Sequence, residues 1–408
     1  MTDPTVPGPT VPDPTGGPGR ARPAGGRLMA QPSLGTVLRE WGRIGCVGFG
    51  GPPAHIALLR KLCVEDRKWL DAQEFEDAIA ACNLLPGPAS TQLAIFCAWR
   101  VRGRAGALVG GAAFIVPGLI VILALAALFL EGDPPAWVKA AGAGAGAAVA
   151  AVAVQAGTSL MPAGWRRAPA RLRWVVYLGL GAVAAATVGP WLVLLLVACG
   201  IAEIVAQRVP APGRRPVPAL PLLAAAGLGG GVLLPLAWVA LKVGALSYGG
   251  GFVIIPIMQA DAVDHHHWMT GAQFLNAVAL GQITPGPVVQ TVAVVGYAAA
   301  GVGGGVLTSA IAFSPSFAFI LLGAHRFDRL RAAPGVRAFL DGAAPAAIGA
   351  ILGSAIPLAR ALGEPWQYAV LAGAAVLALA LRRGPVLTLL TAGAAGVVIV
   401  LAGGPLPH

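Results

Sequence analysis

Long apolar runs, broken by short clusters of arginine, glycine and proline, fill most of this chain. They cover residues 105–130, 136–160, 172–188 and 191–205, then 219–237, 302–323, 336–358, 366–381 and 385–401. A helix that crosses a bilayer needs about 20 mostly apolar residues, within a range of roughly 17–25. The pattern therefore predicts an all-α polytopic membrane protein. Two further segments, 72–100 and 271–299, are long enough to cross but are split by Pro-Gly-Pro at Pro86, Gly87 and Pro88 and at Pro285, Gly286 and Pro287.

The split segments belong to a duplication in constant register. Gly45-Cys-Val-Gly-Phe-Gly-Gly51 returns as Gly244-Ala-Leu-Ser-Tyr-Gly-Gly250. Trp69 returns as Trp268 and Phe75 as Phe274, each 199 positions on. Duplicated halves with Gly/Pro-interrupted apolar segments at matching places point to a transporter's binding site.

Proline removes a backbone donor and clashes with the preceding turn, so a helix stops near Leu85 and another can start at Pro88. The pieces of about 14 and 12 residues rise about 21 and 18 Å, short of a hydrocarbon core of about 30 Å. Each is a half-helix, in either a re-entrant hairpin or a broken crossing. The first half-helices begin alike. Asp71 with Glu74 and Thr270 with Gln273 have capping-box spacing, Leu70 with Phe75 and Met269 with Phe274 fit the hydrophobic staple, and Trp69 and Trp268 suit an interface. These features are structural.

The breaks carry the chemistry. A half-helix N-terminus presents free N–H groups and the positive end of a dipole, which favours an anion. Gly87 with Ser90 and Thr91, and Gly286 with Gln290 and Thr291, add close backbone approach and side-chain donors. Gly50 and Gly51 before Pro52, and Gly249 and Gly250, make a second pair of breaks. Arg43 and Lys242 precede them in matching register inside apolar segments, where an ionisable residue is a functional candidate. We read both as anion ligands, against the alternative that they snorkel to an interface. Glu40 has the spacing to pair with Arg43 and is also a candidate for proton coupling.

Composition narrows the class. Hydrophobic residues make up 57% and charged residues 11%, against about 25% charged in soluble domains. The net charge of +11 sits in short loops, as on the cytoplasmic side of membrane proteins, so no nucleic-acid partner is implied. Five cysteines without a CxxC pair read as unpaired core residues. No cofactor or metal is implied; the adjacent His265, His266 and His267 lack the i, i+4 spacing of helix ligands.

Arginine placement orients the chain. Arg100, Arg102 and Arg104 mark one loop as inside, whereas the corresponding loop 300–305 carries no charge. Equivalent loops then face opposite sides, and the reading is two inverted-topology repeats with broken or re-entrant helices. The division is a disordered cytoplasmic tail 1–33, a first repeat 34–216, a linker helix 217–238 and a second, inverted repeat 239–408. Homo-oligomerisation is left open.

These residues resemble the chromate ion transporter family, in its long two-repeat form. The resemblance rests on Gly48-Phe-Gly-Gly-Pro52, Glu65-Asp-Arg-Lys-Trp69, Asn83-Leu-Leu-Pro-Gly-Pro88 and Phe114-Ile-Val-Pro-Gly118. Val243-Gly-Ala-Leu-Ser-Tyr-Gly-Gly-Gly251 and Thr284-Pro-Gly-Pro287 extend it through the second half. It implies efflux of chromate, a tetrahedral dianion, across the plasma membrane, with chromate resistance as the outcome. Sulfate or a related oxyanion is the competing substrate. A membrane enzyme and a lipid scramblase are the alternatives of other classes; no HExxH, GxSxG or paired-carboxylate motif in a spanning segment supports the first.

Overall fold

The computed structural model describes residues 32–82, 87–130, 134–187, 192–207, 231–247, 253–323 and 333–406. Fourteen α-helices and no strand occur among them. The expected tail, apart from its last two residues, lies outside the described residues. So does most of the expected linker helix.

The two repeats open with α1 (Leu34–Val47) and α8 (Leu233–Leu246), whose ends keep the shift of 199. α8 thus runs across position 238, where the linker was expected to end. α2 (Pro52–Arg60) and α9 (Ile254–Gln259) follow, each continuing into a π-helical turn, Lys61–Asp66 and Ala260–His265. Next come α3 (Ala72–Cys82) and α10 (Gly271–Ile283), the first halves of the split segments. Their starts are capped as the spacing predicts. Asp71 accepts the Glu74 N–H at 2.7 Å, and Thr270 and Gln273 form a reciprocal capping box.

α4 (Ala89–Leu130) and α11 (Thr291–Gly323, preceded by the 3-10 turn Val288–Gln290) each fold back on themselves. The chain reverses at Arg102-Gly103 and at Ala300-Gly301, with glycine φ of 63° and 61°. Thr308 on the second arm of α11 donates to the Val292 carbonyl on the first, at 3.1 Å. Pro117 and Pro315 lie in the second arms. These landmarks are 198 apart, one fewer than before the breaks. One residue has been lost between the break and the reversal.

Ion pairs decide how the split segments run. Glu74, at the start of α3, pairs with Arg100, at the end of the first arm of α4. Those two ends share one side, so the first Pro-Gly-Pro segment is a re-entrant hairpin. Arg67, just past the π turn, similarly reaches Glu40 on α1 at 2.5 Å, and Trp41 stacks on Trp69 at 6.0 Å. α2 therefore turns back alongside α1.

Equivalent helices run antiparallel, as inversion requires. A methyl built on Gly111 of α4 would stand 2.5 Å from the Phe317 ring of α11, and one on Gly305 would stand 2.4 Å from Leu123. Position 111 meets 317 while 123 meets 305, so one chain descends as the other rises.

The remaining helices lock the repeats together. α5 (Ala136–Arg167), α6 (Arg171–Thr187) and α7 (Leu192–Ala206) correspond to α12 (Pro334–Arg360), α13 (Pro365–Ala375, with the π turn Val376–Ala380) and α14 (Pro385–Leu401). α5 packs on α13 and α14, whereas α12 packs on α6 and α7. Each repeat thus holds the long helix of the other. Gly349 and Gly353 sit on the α6 backbone and Gly144 on α14, the small-residue packing by which helices associate in lipid. Among the described residues, four segments, Ala89–Leu130, Ala136–Arg166, Val288–Gly323 and Pro334–Arg360, are long and apolar enough to cross a membrane.

Candidate functional site

The chain breaks of the two repeats converge where the repeats cross. Gly87 and Gly286 take φ of 113° and 96°, and Gly50 and Gly51 take 98° and 72°. Glycine adopts such angles without a Cβ penalty. Pro52 then opens α2. The Gly286 N–H donates to the Gly48 carbonyl at 3.1 Å, tying the Pro-Gly-Pro tip of one repeat to the glycine break of the other. A Cβ on Gly87 would lie 3.3 Å from both the Gly244 carbonyl and the Ser316 hydroxyl of the second repeat. One on Gly118 would lie 2.3 Å from the Pro285 carbonyl. Pro86, Gly249 and Gly250 lie outside the described residues, while Pro88 and Pro287 immediately precede α4 and the 3-10 turn.

Several buried polar groups on the helices that carry these tips have no partner among the described residues. The buried hydroxyls of Thr91, Ser247 and Ser316, the Gln282 amide nitrogen and the Gln259 amide oxygen have no hydrogen-bond partner among the described residues. Thr91 stands in the first turn of α4, and Ser316 faces Gly87. An unpaired polar group in a hydrocarbon environment costs several kcal/mol and is tolerated where it lines a cavity or meets a ligand. Thr91, Ser316 and Ser247 can each donate to an anion.

Other expected ligands are already engaged. Gln290 donates to the Ile115 carbonyl at 3.0 Å and accepts from Ser309 at 3.0 Å. Thr291 donates to the Val288 carbonyl at 2.8 Å. The 3-10 turn of the second tip is thereby fixed to α4, and its side-chain donors are spent on structure.

Arg43 and Lys242 follow the helix face they occupy. α1 buries Val37, Glu40, Trp41, Ile44 and Gly45, and α8 buries the equivalent Leu236, Val239, Ala240, Val243 and Gly244. Arg43 and Lys242 fall off that stripe. Arg43 is exposed. Lys242 is engaged by Asp261 at 2.5 Å and lies 5.9 Å from the Trp238 ring centre. Glu40 is buried and pairs with Arg67 and Arg39, not with Arg43.

One site residue has no counterpart in the duplication. His55, on α2, is fully buried. Its Nε2 lies 2.9 Å from the Gly48 carbonyl and its Nδ1 3.3 Å from the Ser90 hydroxyl, while Phe114 meets the ring edge-on at 5.0 Å. Ile254 takes its place in the second repeat, so repeat comparison passes it over. The sequence signal was a lone histidine in an apolar half-helix beside a glycine break. Ser316 was hidden by the change of register from 199 to 198, which aligns it with Gly118.

The chain matches the chromate transporter family over residues 35–204 and 234–397. It belongs to that family. A chromate transport protein of Cupriavidus metallidurans is 32% identical over 358 residues, covering 83% of this chain and 86% of the relative. A probable chromate transport protein of Synechococcus elongatus is 28% identical, covering 80% and 85%. A chromate transport protein of Pseudomonas aeruginosa is 28% identical, covering 79% and 80%. No solved structure matches the chain. The two matched stretches coincide with the two interlocked repeats, and the apolar helices make the chain a membrane protein.

Proposed function

We propose that the protein is a secondary transporter that exports chromate from the cytoplasm across the plasma membrane, with its N-terminus cytoplasmic, and so confers chromate resistance. The observation that carries this reading is the meeting of the Pro-Gly-Pro tips of both repeats near buried hydroxyls that have no partner among the described residues. An oxyanion with four equivalent oxygens suits donors arriving from several directions. Gly87 brings backbone to the anion, Gly286 closes the tip against it through its bond to the Gly48 carbonyl, the α4 N-terminus adds its dipole, and Thr91, Ser316 and Ser247 supply hydroxyl protons. Ser90 joins this set through its link to His55, and Gly50 and Gly51 give room for the crossing. Arg43 and the Lys242–Asp261 pair stand apart from the direct ligands. Rocking of one repeat against the other would expose the tips alternately to each side.

The test is uptake of radiolabelled chromate by everted vesicles carrying the protein, with an inside-positive potential imposed. Uptake above vesicles lacking the protein, reduced by excess unlabelled chromate, supports the reading. Reduction by sulfate at equal concentration would broaden the substrate to tetrahedral dianions. Absence of uptake of either anion would refute it.

A further inference from the structure

We propose that His55 couples anion binding to uptake of one proton, by controlling which way the Ser90 hydroxyl donates. This rests on the transport reading above. The Gly48 carbonyl can only accept, so Nε2, 2.9 Å away, carries a proton. In the neutral ring Nδ1 is then bare, and Ser90, 3.3 Å away, must donate to it. The single Ser90 proton is thus turned toward the ring, and its lone pairs repel an anion. Protonation at Nδ1 reverses that bond. Nδ1–H donates to the Ser90 oxygen, and the Ser90 proton is released toward the tip.

Protonation therefore adds both a donor and a positive charge beside the α4 N-terminus, where the Thr91 hydroxyl, without a partner among the described residues, also stands. Proton and anion then favour each other's binding by the same factor. The surroundings hold the ring for this task. A Cβ on Gly48 would lie 2.8 Å from the ring, so glycine there admits the imidazole, and Phe114 braces the other side.

Charged groups on the neighbouring elements are engaged or point elsewhere. On α1, Glu40 pairs with Arg67 and Arg39, and Arg43 is exposed. On α4, Arg100 pairs with Glu74, and Arg102 and Arg104 are exposed. Arg60, on α2 itself, pairs with Glu65 and Glu76, and Lys61 and Asp66 in the π turn are exposed. With Ile254 in the equivalent place, the device exists once per chain and handles one proton per anion.

The experiment measures proton uptake by the purified full-length protein in weakly buffered solution on adding chromate, with bound chromate counted in parallel. Wild type should take up about one proton more per bound anion than His55→Gln, as full linkage to one site requires. Comparison at equal occupancy cancels the protonation of chromate itself. Ser90→Ala, which keeps the histidine but removes the switched donor, should bind more weakly and take up less than wild type. Sulfate, which stays a dianion near neutral pH, serves as a second probe on wild type alone should the His55 variant fail to fold. Binding of either anion by wild type without net proton uptake at His55 overturns the inference and leaves the transport reading standing. No binding of either anion overturns both.

Discussion

Gly87→Ala and Gly286→Ala make the sharpest comparison at the proposed site, because they share one cost and differ in another. Both glycines lie at positive φ, 113° and 96°, where an alanine carries strain of about 1–3 kcal/mol. The space differs. A methyl on Gly286 meets nothing closer than 3.7 Å. One on Gly87 stands 2.6 Å from the Gln92 amide nitrogen and 3.3 Å from the Gly244 carbonyl and Ser316 hydroxyl. The Gln92 amide can swing aside, but the Gly244 backbone cannot easily follow, which adds overpacking of about 1–3 kcal/mol. Gly87→Ala should therefore lose about twice the stability of Gly286→Ala. It also places its methyl where we propose the anion sits, so its chromate uptake should fall to background while Gly286→Ala keeps a measurable fraction. Thermal unfolding in detergent, read by size exclusion, and uptake by everted vesicles check the two arms. Equal losses in both variants, or wild-type uptake by Gly87→Ala, would refute the placement of the site at the first tip.

Further outcomes follow from other contacts. Cysteines introduced at the exposed Ala105 and Gly303, beside the two reversals, should react with impermeant reagents from opposite sides of the membrane; reaction from one side would end the inverted arrangement. Asp261→Asn, which leaves Lys242 without its carboxylate, should destabilise by about 3–5 kcal/mol, as for a broken buried pair, whereas Lys242→Met with Asp261→Leu should unfold near the wild-type temperature and keep transport. Loss of transport in that folded double variant would return Lys242 to direct anion coordination. His266 stacks on Trp268 at 4.4 Å, and burial, with neighbouring His265, holds its pKa below the usual histidine value. The folded protein then binds fewer protons there than the unfolded chain, so this contribution to stability is present above about pH 6.5 and fades as pH falls below it; His266→Gln should flatten that acid-side decline in thermal unfolding.

The duplication, the breaks and the capped starts of α3 and α10 were legible because proline, glycine and capping residues act within a turn of where they stand. Inversion was legible through loop arginines, and the antiparallel meeting of α4 and α11 gives it a geometric basis. The exchange of α5 and α12 between repeats was not, since two apolar helices carry no mark of which neighbour they choose. Arg43 shows the limit of depth as a clue. Its position in an apolar segment was visible, but only the helix face, fixed by Trp41 and Ile44 turning inward, decides where its guanidinium goes. His55 was missed for the opposite reason: searching for what the repeats share discards what makes them differ.

That asymmetry has an energetic consequence that separates two kinds of carrier. A dianion leaving a cell against a negative-inside potential is driven by about 2.3 kcal/mol per charge per 100 mV. Two net charges give about 4.6 kcal/mol, enough for a ratio of about two-thousandfold at 1.4 kcal/mol per tenfold. If the proton taken up at His55 leaves with the anion, one net charge moves, and the same potential sustains only about fortyfold. A proton bound and released on the same side leaves the two-charge limit intact. Steady-state chromate accumulation in everted vesicles, measured against imposed potassium diffusion potentials without a pH gradient, reads the difference as a slope. A wild-type slope of one charge that steepens toward two in His55→Gln is the outcome expected of co-transport. A slope of two charges in both proteins would confine the His55 proton to the binding step.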